Sequence, residues 1–248
     1  MTSFAVALVV ATAYLFLTYW SDGNLGLFIV FGIVLMLLLA RLLKWEFKRF
    51  SFWVFFGTPV FFVLSSVFFF LFLENDLTKG LLAIFVTFGA WLYAENIFAF
   101  YHLPSAYQPY SLEYLSLVLY VASAFFFTSG SYGAQLFLLL PIWVPAIAVF
   151  WTVLAATVGV FWVSKVAQEQ GILFAFSGAV LLTEIYMILA ALPTSFIVNA
   201  AAFSVFLYMF LGLSRAHVLD KLTKQVLQRY LIVGTVLLVT IFLTAKWV

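Results

Sequence analysis

Glu95 and Glu184 are the two carboxylates that stand deep inside apolar stretches of this chain. An ionisable group in hydrocarbon costs several kcal/mol, roughly 2.5–3.5 on insertion scales, and such groups usually mark function. Neither residue has a lysine or arginine at its own depth in any apolar stretch. That leaves protonation, hydrogen bonding or a bound cation as ways to accommodate it. Desolvation favours the neutral form of a carboxyl, which suits proton exchange.

Around Glu95, helical spacing puts Trp91, Ala99 and His102 on the same face, with Asn96 beside it. Downstream, Glu113, Ser116, Tyr120 and Ser123 follow one another at 3, 4 and 3 residues. This polar stripe is expected to point into a helix bundle. The segment between carries Tyr101, Tyr107, Tyr110 and Tyr114 with His102, Pro104 and Pro109, the prolines keeping it from being helical throughout. One reading is a proton- or cation-handling vestibule, with Glu95 titrating and His102 or Glu113 relaying at its mouth. The other is a hydrogen-bonded Glu95 tethering helices among ordinary interfacial tyrosines, with His102 a simple interfacial histidine.

Glu184 has Thr183 and Tyr186 nearby, and the turn at Leu192-Pro193-Thr194 folds the following stretch back, with Thr194 or Ser195 as N-cap. Asn199 then reaches nearly the same depth. The small residues Ala200, Ala201 and Ala202 permit close helix contact, so a Glu184–Asn199 hydrogen bond is expected. At 1.5 Å per residue the two glutamates lie about 11 Å apart in depth, too far for a direct dyad. They serve either as stations on one polar path or as separate helix tethers.

The elements that position these residues are membrane spans. Of 248 residues, 67% are hydrophobic and 8% are charged, so lipid rather than water has to be the solvent. Runs of about 20 apolar residues fall near 3–20, 24–43, 51–73, 80–101, 112–128, 134–163, 171–192, 195–213 and 229–246. Tight polar turns are expected at Ser21-Asp22-Gly23-Asn24 and at Thr128-Ser129-Gly130-Ser131-Tyr132-Gly133. The first run lacks a positive leading region and is read as a retained span rather than a signal peptide.

The 134–163 run contains Pro141 and Pro145 and reads as one kinked span or a broken helix. Charge argues for one span. Nine spans put Arg41, Lys44, Lys48, Arg49, Lys165, Arg215, Lys221, Lys224 and Arg229 on one side, against Lys79 and Lys246 on the other. The positive-inside rule then predicts an all-α transmembrane bundle of about nine spans, a single membrane domain over 1–248, with the N-terminus cytoplasmic and the C-terminus outside. Trp20, Trp45, Trp53, Trp162 and Trp247 fall at span ends, as an aromatic belt does. Pro59, following Gly57 and Thr58, is expected to bend the third span.

Two basic segments have amphipathic patterns. In the first, Arg41, Lys44, Lys48 and Arg49 mix with Trp45 and Phe47. The second, 214–230, places Leu219, Leu222, Val226 and Tyr230 at helical spacing opposite Lys221, Lys224 and Gln228. Together with Arg215 and Arg229 these cations suit anchoring to anionic lipid; docking of a cytoplasmic partner is the alternative.

A net charge of +2 gives no reason to expect nucleic acid as a partner. Without cysteine there are no disulfides, thiolate nucleophiles or thiolate metal sites, and two histidines exclude a multi-histidine metal centre. Gly130-Ser131-Tyr132-Gly133 is not a nucleophile motif, Glu74-Asn75-Asp76 is one acidic cluster rather than a pair, and no phosphate loop occurs. No cofactor is expected.

The best-supported expectation is transport, or ion and proton translocation, through a bundle with buried carboxylates. A non-catalytic membrane subunit or scaffold is the second reading. An enzyme acting on a lipid-borne substrate with Glu95, His102 and Glu113 as acid–base groups is the third. A prokaryotic cytoplasmic membrane is the expected location.

Overall fold

In hydrocarbon the backbone has no solvent to bond, so each apolar run satisfies its own N–H and C=O groups as a helix. The computed structural model describes residues 2–19, 25–105, 107–108, 110–166 and 168–247. These form α1 (Thr2–Tyr19), α2 (Leu25–Leu42), α3 (Phe50–Phe70), α4 (Asp76–His102), α5 (Ser111–Phe137), α6 (Trp143–Val163), α7 (Gln168–Ala190), α8 (Phe196–Val218) and α9 (Lys224–Thr244). Eight are long and apolar enough to cross a membrane, and α2 contributes a shorter apolar stretch, Gly26–Leu42. The chain is therefore an all-α membrane bundle of about nine spans. The expected turn at 21–24, Trp20 of the belt and Pro109 lie outside the described residues.

The helices group into two compact units, Met1–Ser123 and Ala124–Val248, with the division falling within α5. In the first unit α1 packs on α2 and α4, and α3 packs on α4. Val86, Ala90, Tyr93 and Ile97 of α4 form the buried arc, spaced 4, 3 and 4 residues apart. In the second unit α7 packs on α6 and α8, and α8 carries α9. Ala175, Ala179, Leu182, Tyr186 and Leu189 make the corresponding arc of α7.

The largest boundary difference from expectation lies between the fifth and sixth runs. Thr128 to Gly133 is not a turn but part of α5, and the fifth helix continues to Phe137. Thr128, Ser129, Ser131 and Tyr132 are all buried, and the Thr128 hydroxyl donates to the Ala124 carbonyl at 2.7 Å. Small and hydroxylated residues that look like a turn in water serve close helix packing in lipid. The helix ends instead before Pro141, which lacks an N–H and pushes Leu140 out of helical geometry. Pro145 lies in the first turn of α6, where a missing N–H costs no helix bond. The 134–163 run is thus neither one kinked span nor a broken one; its first residues belong to α5. Pro59 lies inside α3, which continues through it.

The second amphipathic segment also differs. Residues 214–230 are split between α8 and α9 by a break at 219–223, so Leu219 and Leu222 do not share a helix face with Val226 and Tyr230. The break is a Schellman cap: Asp220 has φ 53°, its N–H donates to the His217 carbonyl at 3.0 Å, and the Lys221 N–H donates to the Ala216 carbonyl at 2.9 Å. Lys44 (φ 55°) and Lys165 (φ 59°) cap α2 and α6 in the same way. All three positions are the left-handed site that glycine usually fills. Asp220→Gly removes both the left-handed strain and a carboxylate at a helix C-terminus, and should raise stability by about 0.5–1 kcal/mol in detergent melts. An unchanged or lower melting temperature counts against this account of the cap.

At the helix starts, Asn75 caps α4 by accepting the Leu77 N–H at 2.8 Å. Ser195 rather than Thr194 caps α8, accepting the Val198 N–H at 3.4 Å, and Thr223 caps α9. Trp45, Trp53, Trp162 and Trp247 lie at or just beyond helix ends. The Trp53 indole N–H donates to the Phe47 carbonyl at 3.0 Å and that of Trp247 to the Phe242 carbonyl at 3.3 Å.

Candidate functional site

Glu95 does not face the inside of its helix packing; it is exposed. The cause is register. Tyr93 and Ile97 belong to the buried arc of α4, and a residue two positions from each points the opposite way at about 100° per residue. The Ser3 hydroxyl of α1 donates to the Glu95 carboxylate. Asn96 is half-buried, and its amide donates to the Leu92 carbonyl at 2.8 Å, within its own helix. His102 is exposed and stacks on Phe98, 4.9 Å between centroids and 12° between planes. Glu113 is half-buried in the first turn of α5, where a carboxylate favours the helix N-terminus.

What the first unit does bury is a cluster of hydroxyls. Thr58 Oγ1 of α3 lies 2.8 Å from the Val54 carbonyl oxygen and 2.9 Å from the Tyr120 hydroxyl of α5. The Tyr93 hydroxyl of α4 lies 3.3 Å from Ser116 Oγ of α5. Ser116, Tyr120 and Ser123, the polar stripe expected from spacing, are all buried, and Thr58 and Tyr93 are fully so. A second link joins α1 to α3, where the Tyr14 and Ser66 hydroxyls are 2.6 Å apart. Thr58, Tyr93, Tyr14 and Ser66 were not apparent as site residues in the sequence. The one available signal was hydroxyl residues recurring on helix faces otherwise made of phenylalanine and aliphatics.

At the mouth of the α4–α5 hairpin, the Lys44 ammonium donates to the Tyr101 carbonyl at 2.8 Å, and Tyr107 packs edge-on to Phe100 at 5.1 Å. The Tyr107 hydroxyl accepts the Leu112 N–H at 3.4 Å. Arg49 pairs with Glu46 at 2.9 Å. Arg41, Lys44, Lys48 and Arg49 are exposed beside the exposed rings of Trp45 and Phe47, and Lys221, Lys224 and Arg229 are exposed in the second basic segment, with Arg215 half-buried.

In the second unit Glu184 is exposed, for the same reason as Glu95: Leu182 and Tyr186, two residues to either side, are both in the buried arc. The expected Glu184–Asn199 bond is not formed. Asn199 is buried, and its side-chain carbonyl accepts the Thr194 hydroxyl instead, five residues back across the α7–α8 turn. A local partner at the helix start is reached at lower entropic cost than one on the outer face of another helix. The polar feature buried on α7 is Tyr186, stacked on Tyr132 of α5 at 4.4 Å and 12°, with the Tyr132 hydroxyl donating to the Tyr186 carbonyl at 2.8 Å.

Among the described residues, the buried polar side chains are hydroxyls and the Asn199 amide, while both intraspan carboxylates lie on exposed faces. Chemically, this arrangement offers hydrogen-bonded helix links within each unit and an acid on the outward face of each. The chain matches no family model, no curated protein and no solved structure.

Proposed function

We propose that the chain is a non-catalytic integral membrane subunit that assembles laterally with other membrane proteins. The observation that carries this reading is the outward placement of Glu95 and Glu184 on exposed, mainly apolar helix faces. A carboxylate held on a lipid-facing surface is costly, and a partner's donor or cation relieves that cost. The exposed basic segments around Arg41–Arg49 and Lys221–Arg229 support attachment to an anionic cytoplasmic membrane surface, with the N-terminus on the same side. A prokaryotic cytoplasmic membrane remains the proposed setting.

The test is purification of the full chain from its native membrane in mild detergent. A stoichiometric partner that is lost in Glu184→Gln or Glu95→Gln, with helicity unchanged, is the expected outcome. A clean monomer, or a complex indifferent to both substitutions, would refute the proposal.

Transport or ion translocation is the second reading, favoured by the buried hydroxyl cluster Thr58, Tyr93, Ser116 and Tyr120. Proteoliposomes carrying the purified chain alone would then show a proton or cation flux reduced at least tenfold by Tyr120→Phe combined with Thr58→Val.

A further inference from the structure

Between α1 and α4 of the first unit runs an open groove of about 840 Å³. It extends from Phe4 to Tyr19 along α1 and from Asp76 to Trp91 along α4. Each stretch covers fifteen residue steps, or about 22 Å at 1.5 Å per residue. One leaflet of a bilayer core near 30 Å thick is about 15 Å deep. An occupant that fills this groove therefore crosses the bilayer midplane, which an acyl chain confined to its own leaflet does not do.

The walls and charge of the groove narrow the choice further. Ala7, Ala11, Gly80 and Ala83 line it, and a Cβ built on Gly80 would meet nothing within 4 Å, so a second backbone can approach closely. Glu95 continues the α4 stripe of the groove one turn beyond Trp91, at the end marked by Phe4. It is exposed, and among the described residues the neutral Ser3 hydroxyl is its hydrogen-bond partner. At the far end Asp76 already has Lys79, 3.8 Å away. Glu95 stands at the end where Lys and Arg accumulate on membrane helices when the N-terminus is cytoplasmic.

We infer that the α1–α4 groove seats a transmembrane helix of a partner protein, with a small-residue face against Ala7, Ala11 and Gly80 and a lysine or arginine at its cytoplasmic end paired with Glu95. This rests on the assembly reading above and gives it a surface and a partner chemistry.

The probe is a dye-labelled synthetic transmembrane peptide of leucine and alanine, with an alanine face and a single lysine near one end. A second peptide has glutamine in place of that lysine. The chain has no native cysteine, so Lys246→Cys supplies one donor site at a residue that does not line the groove. Energy transfer is measured in phosphatidylcholine bicelles with the full chain. The lysine peptide should bind at least fivefold more tightly than the glutamine peptide. Glu95→Gln should abolish that difference, and Ala11→Trp should weaken both peptides about tenfold. Gly80→Leu gives an independent block should Ala11→Trp fail to fold, with circular dichroism as the check on both.

Equal binding of the two peptides, or binding indifferent to both blocks, overturns the inference. So does self-association of the chain that Ala11→Trp abolishes, which would give the groove to a second copy. Quenching of Trp91 by brominated phospholipid that the peptide fails to relieve would give it to lipid and likewise overturn it. Failure of the assembly reading is distinguishable: a chain purified as a monomer refutes that reading whatever the peptides do. A native complex unaffected by Ala11→Trp and Gly80→Leu refutes the groove while leaving the assembly reading intact.

Discussion

Tyr132→Ala should destabilise the second unit by about 3 kcal/mol, whereas Tyr132→Phe should cost about 1 kcal/mol and Tyr186→Phe nothing. Both tyrosines are buried and their rings stack at 4.4 Å, with Phe203 edge-on to Tyr186 at 6.1 Å. Removing the Tyr132 ring leaves a void lined by Tyr186. In lipid the water-transfer part of the usual penalty shrinks, because acyl chains are as apolar as the core. Lost dispersion, the cavity and the lost bond to the Tyr186 carbonyl remain.

The two hydroxyls differ sharply. That of Tyr132 donates at 2.8 Å, while that of Tyr186 is buried with no hydrogen-bond partner among the described residues. An unpaired buried hydroxyl is a penalty, so Tyr186→Phe should leave stability unchanged or raise it by up to ~1 kcal/mol. Unfolding midpoints in mixed micelles decide the matter. If Phe at 186 costs as much as Phe at 132, the Tyr186 hydroxyl has a partner and the account is wrong.

Gly234→Leu should release α9 from α8, at a cost of about 2–3 kcal/mol. Helix α9 exposes nearly all its length, and Gly234 is the residue it buries. A Cβ there would lie 2.1 Å from Sδ of Met209 on α8. The contact is reciprocal: a Cβ on Gly212 of α8 would lie 2.2 Å from the Tyr230 ring of α9. Each glycine receives a large side chain of the other helix, which is how closely approaching membrane helices associate without a hydrophobic driving force. A single methyl could be accommodated by rotating the flexible Met209; a leucine at the same point cannot. The readout is tryptic cleavage after Lys221 in the 219–223 break, expected to accelerate at least tenfold. Gly57→Ala is the control, since nothing lies within 4 Å of a Cβ there. Equal cleavage rates for Gly234→Leu and the control would show that α9 is held elsewhere.

Much of the architecture was legible in the chain. Nine apolar runs of membrane-spanning length became nine helices among the described residues, because in hydrocarbon the backbone bonds itself whatever the tertiary context. The error at Thr128–Gly133 shows the limit of that reading. Turn chemistry learned from water does not break a helix whose glycines and serines are buried against neighbours, whereas Pro141 does break it, since a missing N–H is local and absolute. The orientation of the glutamates was half legible. Given the buried arcs, Glu95 and Glu184 each follow as outward-facing by simple counting. But choosing the arc requires knowing which of several equally apolar faces a neighbour covers, and a span apolar all round carries no such mark.

The sequence by itself therefore determined the solvent and the number of helices, both properties of single segments. Only the tertiary structure decided which way each helix faces. It buried Thr58, Tyr93, Tyr120 and Tyr132 as links, set Asn199 on Thr194, and left Glu95 beside an open groove rather than inside the bundle. Facing depends on packing between segments distant in the chain, and in lipid that packing is set by shape and hydrogen bonds rather than by a contrast between polar and apolar faces.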